Sequence, residues 1–173
     1  DNADYFSQWG IQVQNHSYGT RIENFYGAMA TAYDVQAWEN PNVLHVFSSG
    51  NAGLEVANEG KYAGVGGFAN LTGNFKMAKN TMLVGAVDTV DKLVPFVSNG
   101  PTFDGRVKPD LVAYSVFGSS NAAALTSGVS LLLQEKYQRI HLEPAPAPLL
   151  KAILINSAKD IHTPGPDFKT GFG

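Results

Sequence analysis

In this chain of 173 residues, the segment Gly118-Ser119-Ser120 offers serine hydroxyls that could act as nucleophiles in covalent chemistry. The residues from Ser120 to Ile140 are small, apolar or polar without a proline, which predicts a helix beginning at that serine. A serine in the first turn of a helix lies near unpaired backbone N–H groups and the positive end of the helix dipole. That environment favours the negative charge of an attacked carbonyl, although a plain helix cap also uses serine. The Gly-x-Ser-x-Gly pattern of lipases is not present, because the run ends in Ala122.

Asn51 is a second candidate because it follows an apolar run that predicts a strand. Open α/β sheets bind ligands beyond the carboxyl ends of their strands, where an asparagine amide can donate to an oxyanion. Asn and Gly are also common turn residues, so a simple turn is the alternative. No cluster of His, Asp and Glu has the spacing of metal ligands, and we expect neither a metal nor a cofactor.

The histidines at 16, 45, 141 and 162 are poor candidates for a catalytic base. His16 directly precedes Ser17, but neighbours on a strand point to opposite faces, so these two residues do not form a dyad. We expect all the histidines to be structural or solvated.

The elements that must position Ser120 and Asn51 alternate between strands and helices. Apolar runs predict strands at 11–14, 44–47 and 81–87, and helical spacing predicts helices at 26–39, at 120–140 and from Pro148 onwards. This alternation predicts an α/β fold with a mostly parallel sheet. The first half of the long helix is small or apolar on all sides, which predicts burial all round, and its second half, from Gln134, is expected to reach water.

Composition limits the classes of protein that remain. The length is that of about one domain, so residues 1–173 are treated as a single domain. A net charge of −3 is too mild to indicate a nucleic-acid partner. No apolar run approaches the roughly 18 residues that would indicate a membrane span. The absence of cysteine excludes a disulfide framework.

The order of the motifs is more specific than any one of them, and it resembles that of the subtilisin-like serine peptidases (subtilases) along nearly the whole chain. The matching runs are NHSYG at 15–19, VFSSGN at 46–51, KNTMLVGAVD at 79–88, FVSNGP at 96–101, DGRVKPDLVA at 104–113 and GSSNAA at 118–123. The resemblance implies a three-layer subtilisin-like fold, with helices on both faces of a mostly parallel sheet.

The resemblance also implies roles for individual residues. Ser120 matches the nucleophile of the family and Asn51 matches the asparagine of its oxyanion hole. Two segments match the walls of the pocket for the residue before the cleaved bond: Ser17, Tyr18 and Gly19, and Ser48, Ser49 and Gly50. The first of these segments pairs with extended substrate in the family.

The chain departs from the family at three places. Ser119 replaces the usual threonine, Ala124-Leu125 stands where the family continues Ala-Pro-His, and the stretch at 113–118 is shorter than usual. The change at Ala124-Leu125 affects helix packing rather than the nucleophile.

The largest departure concerns the catalytic Asp and His, which precede the Ser17 segment in subtilases. Residues 1–16 contain only Asp1, Asp4 and His16 as candidates, without a His-Gly motif. We therefore expect the chain to be the C-terminal two-thirds of a subtilase domain that lacks its N-terminal part, and these 173 residues alone to be inactive.

Three functions are consistent with the sequence. The first is a serine endopeptidase that acts on peptides or proteins through an acyl-enzyme on Ser120, outside the cell or in the periplasm by family resemblance. The second is a non-catalytic pseudopeptidase that only binds peptides. The third is an unrelated α/β hydrolase whose base would be His141 or His162. An upstream Asp-Gly or Asp-Ser turn followed by His-Gly would favour the first.

Overall fold

The computed structural model describes residues 3–173, with a four-stranded sheet between two layers of helices. The elements are α1 (Ala3–Gln8), β1 (Val13–His16), α2 (Ala28–Glu39), β2 (Leu44–Ser48), a 3-10 helix (Asn74–Met77), β3 (Met82–Val87), β4 (Leu111–Tyr114), α3 (Ser119–His141) and α4 (Ala147–Ser157). The strands lie in the order β1-β2-β3-β4 and every neighbouring pair is parallel. The predicted parallel α/β sheet is confirmed.

Alternation along the buried strands builds a core on each face of the sheet. Leu44 and Val46 of β2 pack with Met82 and Val84 of β3 in the layer that holds α3 and α4. Phe47 and other side chains on the opposite face pack in a second core, together with Ala30, Leu71, Phe75, Met77, Ala78 and Leu83. Successive side chains of a strand point to opposite faces, so one sheet supports both layers. The predicted three-layer arrangement is confirmed.

Short elements account for most of the differences from the sequence-based prediction. The strand predicted at 11–14 lies at Val13–His16, so that His16 pairs with Phe47 of β2. The elements α1, β4 and the 3-10 helix were not predicted, and each has six residues or fewer. A helix of six residues or fewer is too short to show a helical period, and β4 was not singled out because its run LVA directly follows the polar segment DGRVKPD.

The prediction that the first half of α3 is buried all round is wrong. Ala122, Ala123 and Ser127 are buried on the side of the sheet, whereas Leu125 and Val129 are exposed. The helix packs on the sheet with one face only, and its opposite face has no covering layer within residues 3–173. None of the described helices is both long and apolar enough to cross a membrane.

Gln134, which was expected to reach water, is also buried. Its side chain accepts a hydrogen bond from the backbone N–H of Ala145 at 2.8 Å and donates one to the Ala145 carbonyl at 2.9 Å. These bonds fasten α3 to the connector that leads into α4. A polar residue in a helix pattern indicates exposure only when no backbone group nearby needs a partner.

Candidate active site

Three segments converge beyond the carboxyl ends of β1 and β2. The two strands are parallel neighbours, so the segments that follow them leave the sheet at the same edge. The start of α3 lies between these segments: Ser17 Oγ donates to the Ser120 carbonyl at 2.8 Å, and the Gly50 N–H donates to Ser119 Oγ at 2.9 Å. Together they enclose a cleft of about 340 Å³.

The cleft brings together nearly all the residues that the sequence selected. Its lining includes Ser17, Tyr18, Gly19, Ser48, Gly50, Asn51 and Ser120. Ser49 is the exception, since it is fully buried outside this lining and its Oγ has no hydrogen-bond partner. Ser49 therefore contributes backbone to the wall, with its N–H donating to the Val84 carbonyl at 2.9 Å.

The amide of Asn51 is tied to the start of α3. Its Oδ1 accepts the Ser119 backbone N–H at 3.0 Å and lies 3.2 Å from Ser119 Oγ, which leaves Nδ2 as a donor. Gly118 permits this approach, because a Cβ at that position would lie 2.6 Å from Asn51 Nδ2, and its φ of 112° suits glycine. The side chain of Asn51 is thus held beside the helix start rather than only serving a turn.

Ser120 occupies the second position of α3 and is partly exposed. Its backbone N–H belongs to the first turn and so has no acceptor within the helix. Its Oγ lies 3.4 Å from the Ser17 carbonyl, which can accept a hydrogen bond but cannot take a proton. The hydroxyl is a candidate nucleophile, and this N–H and Asn51 Nδ2 are donors of the kind that stabilise an oxyanion.

No histidine among the described residues lies within hydrogen-bond distance of the Ser120 hydroxyl. His16 and His45 are buried and hydrogen-bond each other, with 3.2 Å between Nε2 and Nδ1. His141 ends α3, about 30 Å along the helix from Ser120. His162 lies 3.4 Å from Asp167 instead. The unrelated hydrolase that would use His141 as its base is therefore excluded by this geometry.

Among the cleft residues that the sequence does not select as functional candidates, Ser119 and Thr72 matter most for the geometry. The sequence presents Ser119 only as a mild replacement for threonine, but it bonds both Gly50 and Asn51. Thr72 lies in the long connection between β2 and β3 and lines the cleft. The position of Ser119 before the candidate nucleophile was a usable signal, whereas no local pattern marks Thr72.

A serine in the first turn of a helix, packed on a parallel sheet beside a fixed amide donor, is the arrangement expected of a serine hydrolase site. The chain matches the model of the subtilase family over residues 2–173, and it belongs to that family. Family membership supports serine protease activity in general and replaces the unrelated hydrolase as an interpretation.

Solved structures support the same fold. The chain is similar to the prenylagaramide maturation protease PagA, with a TM-score of 0.70 and 21% identity over 98% of this chain and 60% of that one. A lanthipeptide protease matches with a TM-score of 0.71 and 22% identity, over 99% of this chain and 62% of that one. The PatG macrocyclase in complex with peptide matches with a TM-score of 0.66 and 18% identity, over 90% and 46%. The chain thus spans about 60% of the length of the first two structures.

Proposed function

We propose that this chain carries the nucleophile and the oxyanion hole of a serine endopeptidase. Ser120 Oγ forms a bond to the peptide carbonyl carbon as its proton passes to a histidine, and Asn51 Nδ2 and the Ser120 N–H bind the oxyanion. The peptide C–N bond then breaks as the histidine returns that proton to the leaving amine. Water hydrolyses the acyl-enzyme and releases Ser120. The observation that carries this proposal is the pair of bonds from Ser119 that hold Asn51 beside Ser120.

The histidine and its orienting aspartate come, in this proposal, from a segment upstream of these 173 residues. A serine hydroxyl is a weak nucleophile without an adjacent base, and the described cleft contains none for Ser120. The matched structures are longer than this chain, which covers 60% of PagA. The strand β1, whose carboxyl end leads into the cleft, lies at an edge of the sheet.

The exposed face of α3 supports the same proposal. Leu125, Val129 and Leu132 are 47%, 40% and 66% exposed and lie on one side of α3, the helix that carries Ser120 in its first turn. Contiguous apolar surface of this kind usually packs against another surface. The upstream segment would cover this face and bring its histidine to the Ser120 end of the helix.

The substrate in this proposal is an extended peptide or a protein segment. The wall at Ser17, Tyr18 and Gly19 offers backbone groups at the end of an edge strand, where an added strand can pair. Tyr18 is fixed by a hydrogen bond of 2.7 Å between its hydroxyl and that of Tyr33. Burial and this bond raise the pKa of Tyr33, so the Tyr33 hydroxyl stays neutral when substrate binds.

The test is the Ser120→Ala variant of the full-length protein. We expect this variant to lose peptide hydrolysis and labelling by an organophosphonate probe, because the attacking oxygen is removed while alanine maintains the helix. Thermal unfolding checks that the fold is retained. The matched control is Ser157→Ala, since Ser157 is exposed at the end of α4 and its Oγ donates to the Leu154 carbonyl of the same helix.

Hydrolysis that persists in Ser120→Ala would contradict the proposed nucleophile. Wild-type protein that binds peptides without cleaving them would instead identify a pseudopeptidase, the second function that the sequence allows. Residues 1–173 alone should neither cleave peptides nor react appreciably with the probe, because no described group can take the Ser120 proton.

A further inference from the structure

A lysine is completely buried directly behind the cleft. Lys76 lies in the 3-10 helix with no exposed surface, and its Nζ donates to Thr72 Oγ1 at 2.8 Å. No carboxylate among the described residues forms an ion pair with it. Burying a charged group without a counter-ion is costly, so such a group requires an explanation beyond packing.

Thr72 connects this lysine to the cleft. A Cβ at either Gly19 or Gly50 would overlap Thr72 Oγ1, so that hydroxyl lies between the two wall segments. A Cβ at Gly19 would also lie 3.2 Å from Lys76 Nζ. The glycines therefore leave the hydroxyl accessible at the base of the cleft, with the ammonium group immediately behind it.

The direction of the hydrogen bond determines what Thr72 offers to a ligand. An ammonium group only donates, so Thr72 Oγ1 accepts from Lys76 and keeps its own hydrogen for another acceptor. That hydrogen has no acceptor among residues 3–173. The base of the cleft thus presents a hydroxyl donor supported by a buried positive group, which is suited to a carboxylate.

We propose that Thr72 and Lys76 make the enzyme prefer peptides with aspartate or glutamate immediately before the cleaved bond. Thr72 donates to the carboxylate, and Lys76 orients that hydroxyl and supplies the compensating charge. This inference rests on the proposed function, because the two wall segments are assigned by it to the residue before the cleaved bond. Burial lowers the pKa of Lys76 to about 7, and a carboxylate nearby would favour its charged form.

Two other charged residues line the cleft and provide the competing explanation. Arg21 lies 3.6 Å from Glu23, and its side chain is largely exposed. Glu55 is an exposed carboxylate and would oppose an acidic substrate. Lys76 differs from Arg21 in having no acidic partner within the part of the chain that the structure describes.

The experiment compares peptides that differ only in having Glu, Gln or Leu before the cleaved bond, using the full-length protein. We expect kcat/KM to be highest for Glu. In Lys76→Met and in Thr72→Val the ratio of kcat/KM for Glu over Gln should fall at least about tenfold, mainly through KM, and the Leu peptide serves as the uncharged reference. The matched control is Lys79→Met, since Lys79 is exposed and lies three residues further on.

A binding measurement separates this inference from the proposed function. In full-length Ser120→Ala the same peptides bind without being cleaved, and the Glu peptide should bind at least about tenfold more tightly than the Gln peptide. That preference should disappear when Lys76→Met is added, even if the wild-type protein proves to be a pseudopeptidase. Equal affinities for Glu and Gln, or a preference lost in Arg21→Gln but kept in Lys76→Met, would overturn the inference. Thermal unfolding of each variant establishes that the comparison is between folded proteins.

Discussion

The orientation of the Asn51 amide favours the proposed oxyanion donor over a plain turn residue. The Gly-Asn dipeptide is compatible with both interpretations, and the sequence favours a turn when it is considered alone. In the structure, Asn51 Oδ1 accepts from the backbone of Ser119, so Nδ2 remains available next to Ser120. A residue that only formed a turn would not need this bond to a helix start that is 68 residues further along the chain.

Removing this amide tests the oxyanion hole at the scale of a single residue. In full-length Asn51→Ala we expect kcat to fall by roughly 10²–10³, the range known for such a donor in this family, with little change in KM. The reason is that the donor acts on the charge that develops in the transition state. Steady-state kinetics on one peptide substrate measure both constants.

Ser119→Ala provides a graded comparison for the Asn51 variant. It removes the hydroxyl that bonds Gly50 and lies 3.2 Å from Asn51 Oδ1 but leaves the amide in place, so its effect on kcat should be smaller than that of Asn51→Ala. A variant at Asn51 that raises KM alone would identify that residue as a substrate-binding or turn residue.

At the scale of the element, the residue pattern of α3 predicts where the helix lies in the sequence but not which of its faces are buried. The helix was predicted at 120–140 and lies at Ser119–His141, because its helix-forming residues run without a proline. Its burial was not predicted correctly, since an apolar residue such as Leu132 shows only that a face can be covered. Whether it is covered depends on neighbours outside the pattern.

The same limit applies to the candidate site. Ser120 and Asn51 could be selected because each stands at the boundary of a strongly patterned element. Thr72 and Lys76 could not, because the segment between β2 and β3 is irregular and its path brings them to the cleft only in three dimensions. Resemblance to the family indicated the two wall segments of the cleft, whereas Thr72 and Lys76 were found only from the structure.

Gln134 allows a test of how α3 is fastened to α4. Gln134→Ala should lower the free energy of unfolding by about 1–3 kcal/mol, because the buried N–H and carbonyl of Ala145 lose their partner. Denaturant unfolding measures the change. Gln138→Ala, on the exposed side of the same helix, should have a much smaller effect. Equal effects of the two variants would show that the side-chain bonds of Gln134 contribute nothing specific.

At the scale of the whole molecule, the two faces of the sheet differ in chemistry. One face packs aliphatic side chains under α3 and α4. The other contains an aromatic cluster in which His16 stacks on Phe47, with 4.3 Å between ring centroids, and contacts His45. Burial, and for His16 also the charge of His45, lowers the pKa of both histidines from 6.5 to about 4.

These histidines should make the stability of the molecule fall on acidification. Between pH 6.5 and about 4 the unfolded chain binds more protons than the folded one, so the free energy of unfolding decreases as the pH falls through this window. Denaturant unfolding at pH 7 and pH 5 should differ in the wild type by on the order of 2 kcal/mol for each of the two histidines. Lys108 and Lys151 hold the pKa of Asp110 below its usual range despite burial, so this carboxyl titrates below the window.

The variant His16→Phe keeps a ring stacked on Phe47 and should reduce the difference in unfolding free energy between the two pH values, whereas His141→Gln at the exposed end of α3 should not. A difference between the two pH values that His16→Phe leaves unchanged would show that this pair does not set the acid sensitivity.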